Sequence, residues 1–177
     1  MSGGIDSMAC AHFLIGQSFV VTALFVDYGQ AACSSEARAA SAVAETLRVP
    51  LERASLVSKR RYGAGEVPGR NALLTMAALA TCSSDTHVIA MGIHSGTPYY
   101  DCSPAFAERM DTLLQEYTSG QTRYFAPFLN WAKRDIFEYC RREQLDVAVT
   151  YSCEAGTIPP CGHCSSCHDR VLLLDAC

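Results

Sequence analysis

Charge is scarce in this sequence, and basic charge is scarcer still. Lys, Arg, Asp and Glu together make up 18% of the 177 residues, and the net charge is −4. The basic residues are scattered apart from short runs such as 59–61 and 141–142. Proteins that bind DNA or tRNA usually present a basic face, because phosphate contacts dominate their affinity. We therefore expect a small-molecule substrate and no direct nucleic-acid partner.

Long apolar segments are also missing. The longest apolar stretch, residues 19–26, contains Thr22 and is far shorter than the roughly 20 residues that span a bilayer. No charged and apolar leader precedes the first motif, so we expect no secretion signal, no membrane partner and a cytoplasmic protein. A chain of this length suffices for one complete core and is too short for two comfortable domains.

Glycine and hydroxyl groups are concentrated at the start of the chain. Residues 2–7 read Ser-Gly-Gly-Ile-Asp-Ser, and an apolar-periodic stretch follows directly. Glycine lets the backbone approach a ligand closely, and a helix N-terminus favours an anion. An ordinary capped turn is the alternative, since Ser and Asp are common there. The complete string, followed by Asp-Tyr-Gly-Gln at residues 27–30, predicts nucleotide binding.

Ten cysteines need an explanation in a chain expected in a reducing compartment, where disulfides are rare. Four of them have the spacing Cys-x7-Cys-x2-Cys-x2-Cys, which suits tetrahedral zinc. Four thiolates leave no open position, so the predicted zinc is structural and not catalytic. Four reduced thiols without metal are one alternative, and His163 or His168 as substitute ligands are another. The predicted ligands are Cys153, Cys161, Cys164 and Cys167, and the six expected to be buried free thiols are Cys10, Cys33, Cys82, Cys102, Cys140 and Cys177.

Strand and helix patterns alternate along the chain. Helices are predicted over 6–15, 35–47, 70–82 and 133–142, with one more that Ser103 caps and Pro104 begins. The apolar face of that helix is expected to consist of Phe106, Met110, Leu113, Leu114 and Tyr117. Strands are predicted over 19–26, 51–56, 86–91 and 124–129, an extended segment over 147–150, and loops over 59–69 and 92–102.

Apolar strands between amphipathic helices predict an α/β fold with an open, mostly parallel sheet flanked by helices. Ligands then lie at the carboxyl ends of the strands. A phosphate-binding turn normally follows a buried strand, but only Met1 precedes this one, so we expect the first strand to be missing. Residues 1–150 are expected to form a nucleotide-binding domain, with a zinc-binding segment over 151–177 packed on it.

With these motifs in place, the chain resembles the 7-cyano-7-deazaguanine synthases of the PP-loop ATP pyrophosphatase superfamily, whose fold is adenine nucleotide alpha hydrolase-like. The first glycine motif belongs to the whole superfamily, whereas the ordered set of motifs is specific to this branch. The resemblance covers residues 2–7, 27–30, 67–71, 100–106, 132–136, 151–153 and 160–167.

The resemblance implies ATP-dependent conversion of 7-carboxy-7-deazaguanine and ammonia to the nitrile, through an acyl-adenylate, in queuosine biosynthesis. It implies a homodimer, ATP and magnesium besides the zinc. The residues it implies for the nucleotide are Ser2, Gly3, Gly4, Asp6 (which could also help to hold magnesium), Ser7, Tyr28, Gln30 and Asn71. Lys133 and Arg70 are the candidate cations over the departing phosphates, and Asp101 is the candidate contact to the purine-like base.

Several of these roles have a plainer alternative: Lys133 as a residue that merely faces solvent, Arg70 and Asn71 as helix caps, Tyr28 and Gln30 as loop packing, and Asp101 as a turn residue. The sequence also departs from the family pattern at 31–34, 93–100 and 154–158. The first two departures lie where substrate and amine are expected to meet. An alternative is therefore a ligase that stops at the amide or uses another amine. A tRNA-thiolating enzyme, with Cys102 as the reactive thiol, and a binding protein without catalysis are further alternatives.

Overall fold

The computed structural model describes residues 1–56, 59–94 and 96–175. The chain forms two compact units, one made of Met1–Val67 and Phe137–Cys177 and the other of Pro68–Ile136. The first unit contains α1 (Ile5–Gly16), β1 (Ala23–Asp27), α2 (Cys33–Leu47), β2 (Leu51–Ser55) and α6 (Ser165–Asp175). The second contains α3 (Arg70–Thr81), β3 (Val88–Ala90), α4 (Pro104–Thr118) and β4 (Arg123–Phe125), and α5 (Lys133–Arg142) begins in it and ends in the first unit.

The first unit is built around a parallel pair of strands, β1 and β2, whose register pairs Ala23 with Leu51. Helix α1 buries Met8 and Ala9 completely, and α2 buries Ala40 and Val43 completely. The small residues of α2 keep that helix narrow, which allows other main chain to approach it closely. The helix ends at Arg48, which adopts the left-handed conformation, two residues before Pro50.

The second unit has its own core and its own parallel pair, β3 with β4. The most buried members of this core are Phe106 and Leu114 of α4, which are 3% and 0% exposed. The predicted start of α4 is confirmed: Ser103 Oγ accepts a hydrogen bond from the Phe106 N–H at 3.2 Å, and Pro104 is in the first turn. Seven buried residues make up this core: Ile89, Ile93, Cys102, Phe106, Ala107, Leu114 and Tyr124.

The predicted α/β class with parallel strands flanked by helices is confirmed, although the sheets are small. Strand β1 is shorter than predicted, and residues 19–22 lie outside it. The ladder stops at Ala23 because its N–H donates to the carbonyl of Pro50, and proline has no N–H with which to extend the pairing. Val20, predicted within the strand, is fully exposed.

Three further details differ from the predictions. Residues 147–149 form a 3-10 turn and not an extended segment, because Asp146 Oδ1 accepts from the Ala148 N–H at 3.0 Å and closes the turn. The strand predicted over 86–91 is limited to Val88–Ala90, and the strand predicted over 124–129 begins one residue earlier and covers only Arg123–Phe125. Tyr117, predicted on the inward face of α4, is 68% exposed since it lies in the last turn of that helix.

The division into a nucleotide-binding domain over 1–150 and a zinc-binding segment over 151–177 stays a prediction. Cys177 is one of the predicted free thiols, and Ser95 is part of the predicted loop over 92–102. Both residues lie outside the described residues. Within the part of the chain that the structure describes, no helix combines the length and apolarity that crossing a membrane requires.

Candidate functional site

The glycine turn, residues 2–7, leads directly into α1. Gly3 has φ +78°, and Gly4 is the N-cap in an extended conformation. Ser7 Oγ donates to the Gly4 carbonyl at 2.9 Å, and the Gly4 N–H donates to Ser2 Oγ at 3.3 Å. Gly4 makes no side-chain cap hydrogen bond at the start of α1. The first N–H groups of a helix have no partner within the helix, and a helix start preceded by glycine is a common place for an anion.

Gly3 is the residue that brings this turn against α2. A Cβ at this position would lie 2.6 Å from the Ala40 nitrogen and 2.7 Å from the Ala39 Cβ, and both distances are below any normal contact. The positive φ is unfavourable for other residues as well. The first glycine therefore has a structural requirement that the sequence pattern alone does not reveal.

A second turn, residues 27–30, follows β1 at its carboxyl end, where ligands of parallel sheets bind. Asp27 Oδ1 accepts from the Gly29 N–H at 2.9 Å. Gly29 has φ +88°, and a Cβ there would lie 2.7 Å from the Arg60 carbonyl oxygen. This turn is thus held by the loop over 59–67, which pairs with it through a bridge between Gln30 and Tyr62.

The side chains of Tyr28 and Gln30 are used within this second turn. Tyr28 is 9% exposed and packs edge-on against Tyr62 with ring centroids 5.8 Å apart. Gln30 accepts from the Tyr28 N–H at 2.9 Å and donates to the Val26 carbonyl and to Glu36. Both side chains shape the loop, and their contact with a nucleotide stays a prediction.

Three predicted residues come together at the start of α3. Asp101 Oδ2 accepts from the Asn71 N–H at 3.1 Å, and Asn71 Nδ2 donates to the Asp101 carbonyl at 3.0 Å. Arg70 Nε donates to Asn71 Oδ1 at 3.3 Å. Asp101 thereby supplies the first turn of α3 with a carboxylate, which suits the positive end of the helix. Asn71 is 2% exposed and connects the two segments.

Lys133 is the first residue of α5 and is half-buried. The N-terminal end of this helix is closed by Asp135, whose Oδ2 accepts from the Ala132 N–H at 2.8 Å. A lysine at a helix start is unfavourable to the helix dipole. That position is better explained by an anion than by helix stability, although its role stays a prediction.

The four predicted metal ligands meet in one place. The sulfur atoms of Cys153, Cys161, Cys164 and Cys167 all lie within 4.8 Å of one another. A tetrahedral zinc with Zn–S bonds of about 2.3 Å places its sulfur atoms about 3.8 Å apart, and the Cys161–Cys167 separation is 3.9 Å. The cluster could therefore hold a metal ion, as predicted from the spacing.

The surroundings of the cluster shift the pKa values of its thiols in opposite directions. Burial acts to raise the pKa of Cys153, but hydrogen bonds from the Cys161 N–H and from Thr157 and Tyr151 outweigh it and lower this pKa to about 5. Burial and the neighbouring thiols raise the pKa of Cys167 to about 12. The exposed ring of His163 contacts the Cys161 carbonyl through Nδ1 at 2.8 Å. Of the residues described, the four cysteines alone form a candidate metal cluster, so neither His163 nor His168 belongs to it.

None of the other described thiols forms a disulfide. Cys10, Cys102 and Cys140 are buried as predicted. Cys33 and Cys82 were also predicted to be buried, but they are only half-buried. Burial raises the pKa of Cys10 to about 12 and that of Cys33 to about 11, with a hydrogen bond to Asp27 contributing to the latter. Both thiols are therefore protonated near neutral pH.

Glu154 is a residue that the sequence analysis noted only as part of a departure from the family pattern. Its Oε1 accepts from the Ser165 hydroxyl and from the N–H and hydroxyl of Ser166, at 2.8–3.1 Å. Its Oε2 accepts from the Gly65 N–H at 2.9 Å. Glu154 thus caps α6 and holds the loop over 59–67. A carboxylate eleven residues before a helix gives no local sequence signal for capping.

The fold and these sites define an α/β protein with a glycine-rich turn at a helix N-terminus and a four-cysteine candidate metal centre. A family model described as queuosine biosynthesis protein QueC matches residues 1–64 and 55–175. The chain therefore belongs to the QueC family, which confirms the resemblance.

Curated relatives agree with this assignment. The chain is 31% identical to the 7-cyano-7-deazaguanine synthase of Pseudoalteromonas atlantica, over 98% of this chain and 91% of the relative. It is 30% identical to that of Paracoccus denitrificans and 27% identical to 7-cyano-7-deazaguanine synthase 1 of Mesorhizobium japonicum, in both cases over 96% of this chain and 84% of the relative. These relatives are named as synthases, so the family is one of enzymes.

Proposed function

We propose that this chain converts 7-carboxy-7-deazaguanine and ammonia to 7-cyano-7-deazaguanine at the expense of ATP. The observation that carries the proposal is the glycine turn, residues 2–7, at the N-terminus of α1, in a chain of the QueC family. A glycine-rich turn at a helix N-terminus suits the phosphates of a nucleotide. The names of the relatives supply the deazaguanine product.

The reaction needs activation because oxide is a poor leaving group from a carboxylate. A carboxylate oxygen attacks the α-phosphorus of ATP, pyrophosphate leaves, and an acyl-adenylate forms. Ammonia then attacks the acyl carbon and AMP leaves, giving the amide and a proton. The amide oxygen attacks a second ATP in the same way, and loss of AMP with a proton gives the nitrile. The protein contributes by positioning the reactants and by stabilising the charge that develops on the phosphates.

The glycine turn would hold the pyrophosphate portion. Gly3 and Gly4 let the main chain approach the phosphates closely, and the hydroxyls of Ser2 and Ser7 lie 3.2 Å apart at the start of α1. Asp6 lies in the first turn of α1 and is half-buried, and its carboxylate is a suitable oxygen ligand for magnesium. In this proposal Tyr28, Gln30 and Asn71 have two roles: they fix the conformation of their loops, and they contact the nucleotide.

Arg70 and Lys133 are the cations that we assign to the departing phosphates. A guanidinium and an ammonium both stabilise charge that develops on phosphate oxygens. Asp101 would accept N–H groups of the deazaguanine base. One of its oxygens accepts from Asn71, but a carboxylate has about four acceptor positions, which leaves capacity for the base.

Zinc is the metal we assign to the four-cysteine cluster, because four converging thiolates with the spacing given above suit its tetrahedral preference. With four protein ligands it has no open position, so it supplies folding energy and takes no part in the chemistry. Cys153, Cys161, Cys164 and Cys167 would hold it.

The experiment is mass spectrometry of the products from 7-carboxy-7-deazaguanine, Mg-ATP and ammonia. The proposal predicts the nitrile mass and two AMP for each nitrile. Absence of the nitrile while AMP is released would reject nitrile formation, and absence of AMP under every combination of substrates would reject catalysis of this type. Sedimentation of the same sample would test the homodimer that the resemblance implies.

A ligase that stops at the amide, or that uses a different amine, is the second candidate. The observation that favours it is the segment 31–34, Ala-Ala-Cys-Ser, which follows the second turn where related sequences are expected to be basic. Repeating the reaction with a panel of primary amines would separate the two, since the second candidate gives a substituted amide mass that ammonia does not.

The tRNA-thiolating alternative is disfavoured by the thiol it needs. Cys102 is 8% exposed, and burial raises its pKa, whereas a sulfur-transfer nucleophile must be an accessible thiolate. The net charge of −4 also opposes tRNA binding.

A further inference from the structure

Residues 151–156, here called the knuckle arm, run from the glycine turn to the four-cysteine cluster. At one end the Tyr151 N–H donates to the Gly3 carbonyl at 2.9 Å. A Cβ on Gly4 would lie 3.7 Å from the Tyr151 carbonyl oxygen. The arm therefore contacts both glycines of the turn through its main chain.

The other end of the arm contacts the chain that follows the second turn. Gly156 has φ +73°, and a Cβ there would lie 2.5 Å from the Ala31 carbonyl oxygen and 2.8 Å from the Ala32 Cα. The Ser35 hydroxyl donates to the Gly156 carbonyl at 3.2 Å. The arm thus touches the main chain beside each of the two turns to which we assign the nucleotide.

Between these ends the arm carries the most buried sulfur of the cluster. Cys153 is 2% exposed, and its Sγ accepts from the Cys161 N–H at 3.3 Å. The next residue, Glu154, is bound to Ser165 and Ser166 at the start of α6 and to Gly65. The position of the arm is therefore set by the cluster and by α6.

We propose that metal bound at the cluster positions the glycine turn through the knuckle arm, so that nucleotide affinity depends on metal occupancy. This inference rests on the proposed function, since it uses both the metal and the nucleotide assigned above. With metal bound, Cys153 shares the ion with three other cysteines and is held in place. The Tyr151 N–H then donates to the Gly3 carbonyl from a fixed position. Without metal the arm loses that anchor, and an anion must order the turn when it binds.

The test is hydrogen–deuterium exchange of the full-length chain, metal-loaded and stripped by a chelator. The amides of residues 3–8 are expected to exchange about ten-fold faster without metal, as for the loss of one or two hydrogen bonds, while those of 39–44 in α2 stay unchanged. Equal exchange at 3–8 in both forms would overturn the inference. A matching increase over 39–44 would also overturn it, because it would show unfolding of the whole unit.

The variant Gly156→Ala tests the contribution of the arm independently of metal binding. The added methyl group must displace the arm from Ala31, so metal content is expected to stay normal while residues 3–8 exchange as in the stripped protein. The matched control is Gly120→Ala: Gly120 also has a positive φ, +84°, but a Cβ there meets nothing within 4 Å. Normal exchange at 3–8 in Gly156→Ala, with full metal content, would count against the arm.

Calorimetric titration with ATP of both metal forms distinguishes a failure of the inference from a failure of the proposed function. The inference predicts an ATP dissociation constant about ten-fold higher without metal. Equal affinity in the two forms would overturn it while leaving the proposed function intact. No ATP binding in either form, together with metal-dependent exchange at 3–8, would reject the nucleotide assignment and uphold the coupling.

Discussion

The glycine turn and the four-cysteine cluster are both candidate sites for small charged species, but they are built in opposite ways. The cluster consists of side chains, four sulfur atoms within 4.8 Å of one another. The turn consists of main chain, and its geometry depends on the absence of a side chain at Gly3. A side-chain site is identified by which residues are present, whereas a main-chain site depends on what packs against it. For Gly3 that is α2 and the knuckle arm.

The largest effect is expected where the side-chain site is broken. Cys161→Ala removes one of four sulfur ligands, and structural zinc supplies about 10 kcal/mol or more of apparent binding energy to small folded sites. Elemental analysis should give about one zinc per chain for the parent protein and close to none for the variant. Cys82→Ala, which changes a half-buried thiol outside the cluster, is the control and should keep its zinc. Full metal retention in Cys161→Ala would contradict the ligand assignment.

The main-chain site is broken by Gly3→Ala. A Cβ there overlaps the main chain of Ala39 and Ala40 at a positive φ, so we expect a loss of about 2–4 kcal/mol in unfolding free energy and loss of ATP binding. Thermal melts and titration with a fluorescent ATP analogue would measure the two effects.

Gly120→Ala again provides the comparison, since it adds a Cβ at φ +84° in open space. It should cost only about 1 kcal/mol from backbone conformation and leave ATP binding unchanged. Equal destabilisation by the two substitutions would mean that close packing against α2 does not matter for the turn.

The variant Glu154→Ala tests the contacts that hold the knuckle arm, which connects the two sites. This change removes the acceptor for Ser165, Ser166 and Gly65, and we expect a loss of about 2 kcal/mol because several donors lose their partner. Denaturant titration would measure the loss, and limited proteolysis would locate faster cleavage to the loop over 59–67. Unchanged cleavage there would show that Glu154 acts on α6 alone.

The smallest effect is expected outside both sites, at Asp111 of α4. Asp111 accepts two hydrogen bonds from the Arg123 guanidinium, at 2.7 and 2.8 Å, and one from the Tyr124 N–H. The Arg123 side chain is the main cause of its lowered pKa, and the Tyr124 N–H adds to it. Arg123 is more than half exposed, so Asp111→Asn should cost only about 1 kcal/mol at pH 7.

The pH dependence of that cost has a definite sign. A carboxyl whose pKa is lower in the folded state stabilises the fold above its unfolded pKa of about 3.9, and this stability is lost as the pH falls through the folded value. The difference in melting temperature between the parent and Asp111→Asn should therefore shrink between about pH 5 and pH 2. Glu116→Gln on the exposed face of α4 is the control. A difference that persists unchanged at low pH would contradict the assigned ion pair.

The sequence predicted the parts of this molecule whose causes are local. The cysteine spacing predicted the cluster, and Ser103 with Pro104 predicted the start of α4, because caps and ligand spacings act within a few residues. Features that depend on tertiary contacts could not be predicted from the sequence. The late start of β1 at Ala23 depends on Pro50, which lies just before the neighbouring strand, and the shape of the 27–30 turn depends on Arg60. Asp101 as a partner of α3, and Glu154 as the cap of α6, come from segments that no local pattern connects.

The central claim, that the glycine turn serves carboxylate activation by ATP, is tested most directly with substrate labelled by ¹⁸O in both carboxylate oxygens. Attack of each oxygen in turn on an α-phosphorus predicts that both labels appear in AMP, one in each of two molecules, with none in pyrophosphate. Release of ADP and labelled inorganic phosphate, or of unlabelled AMP alongside the product, would contradict the account.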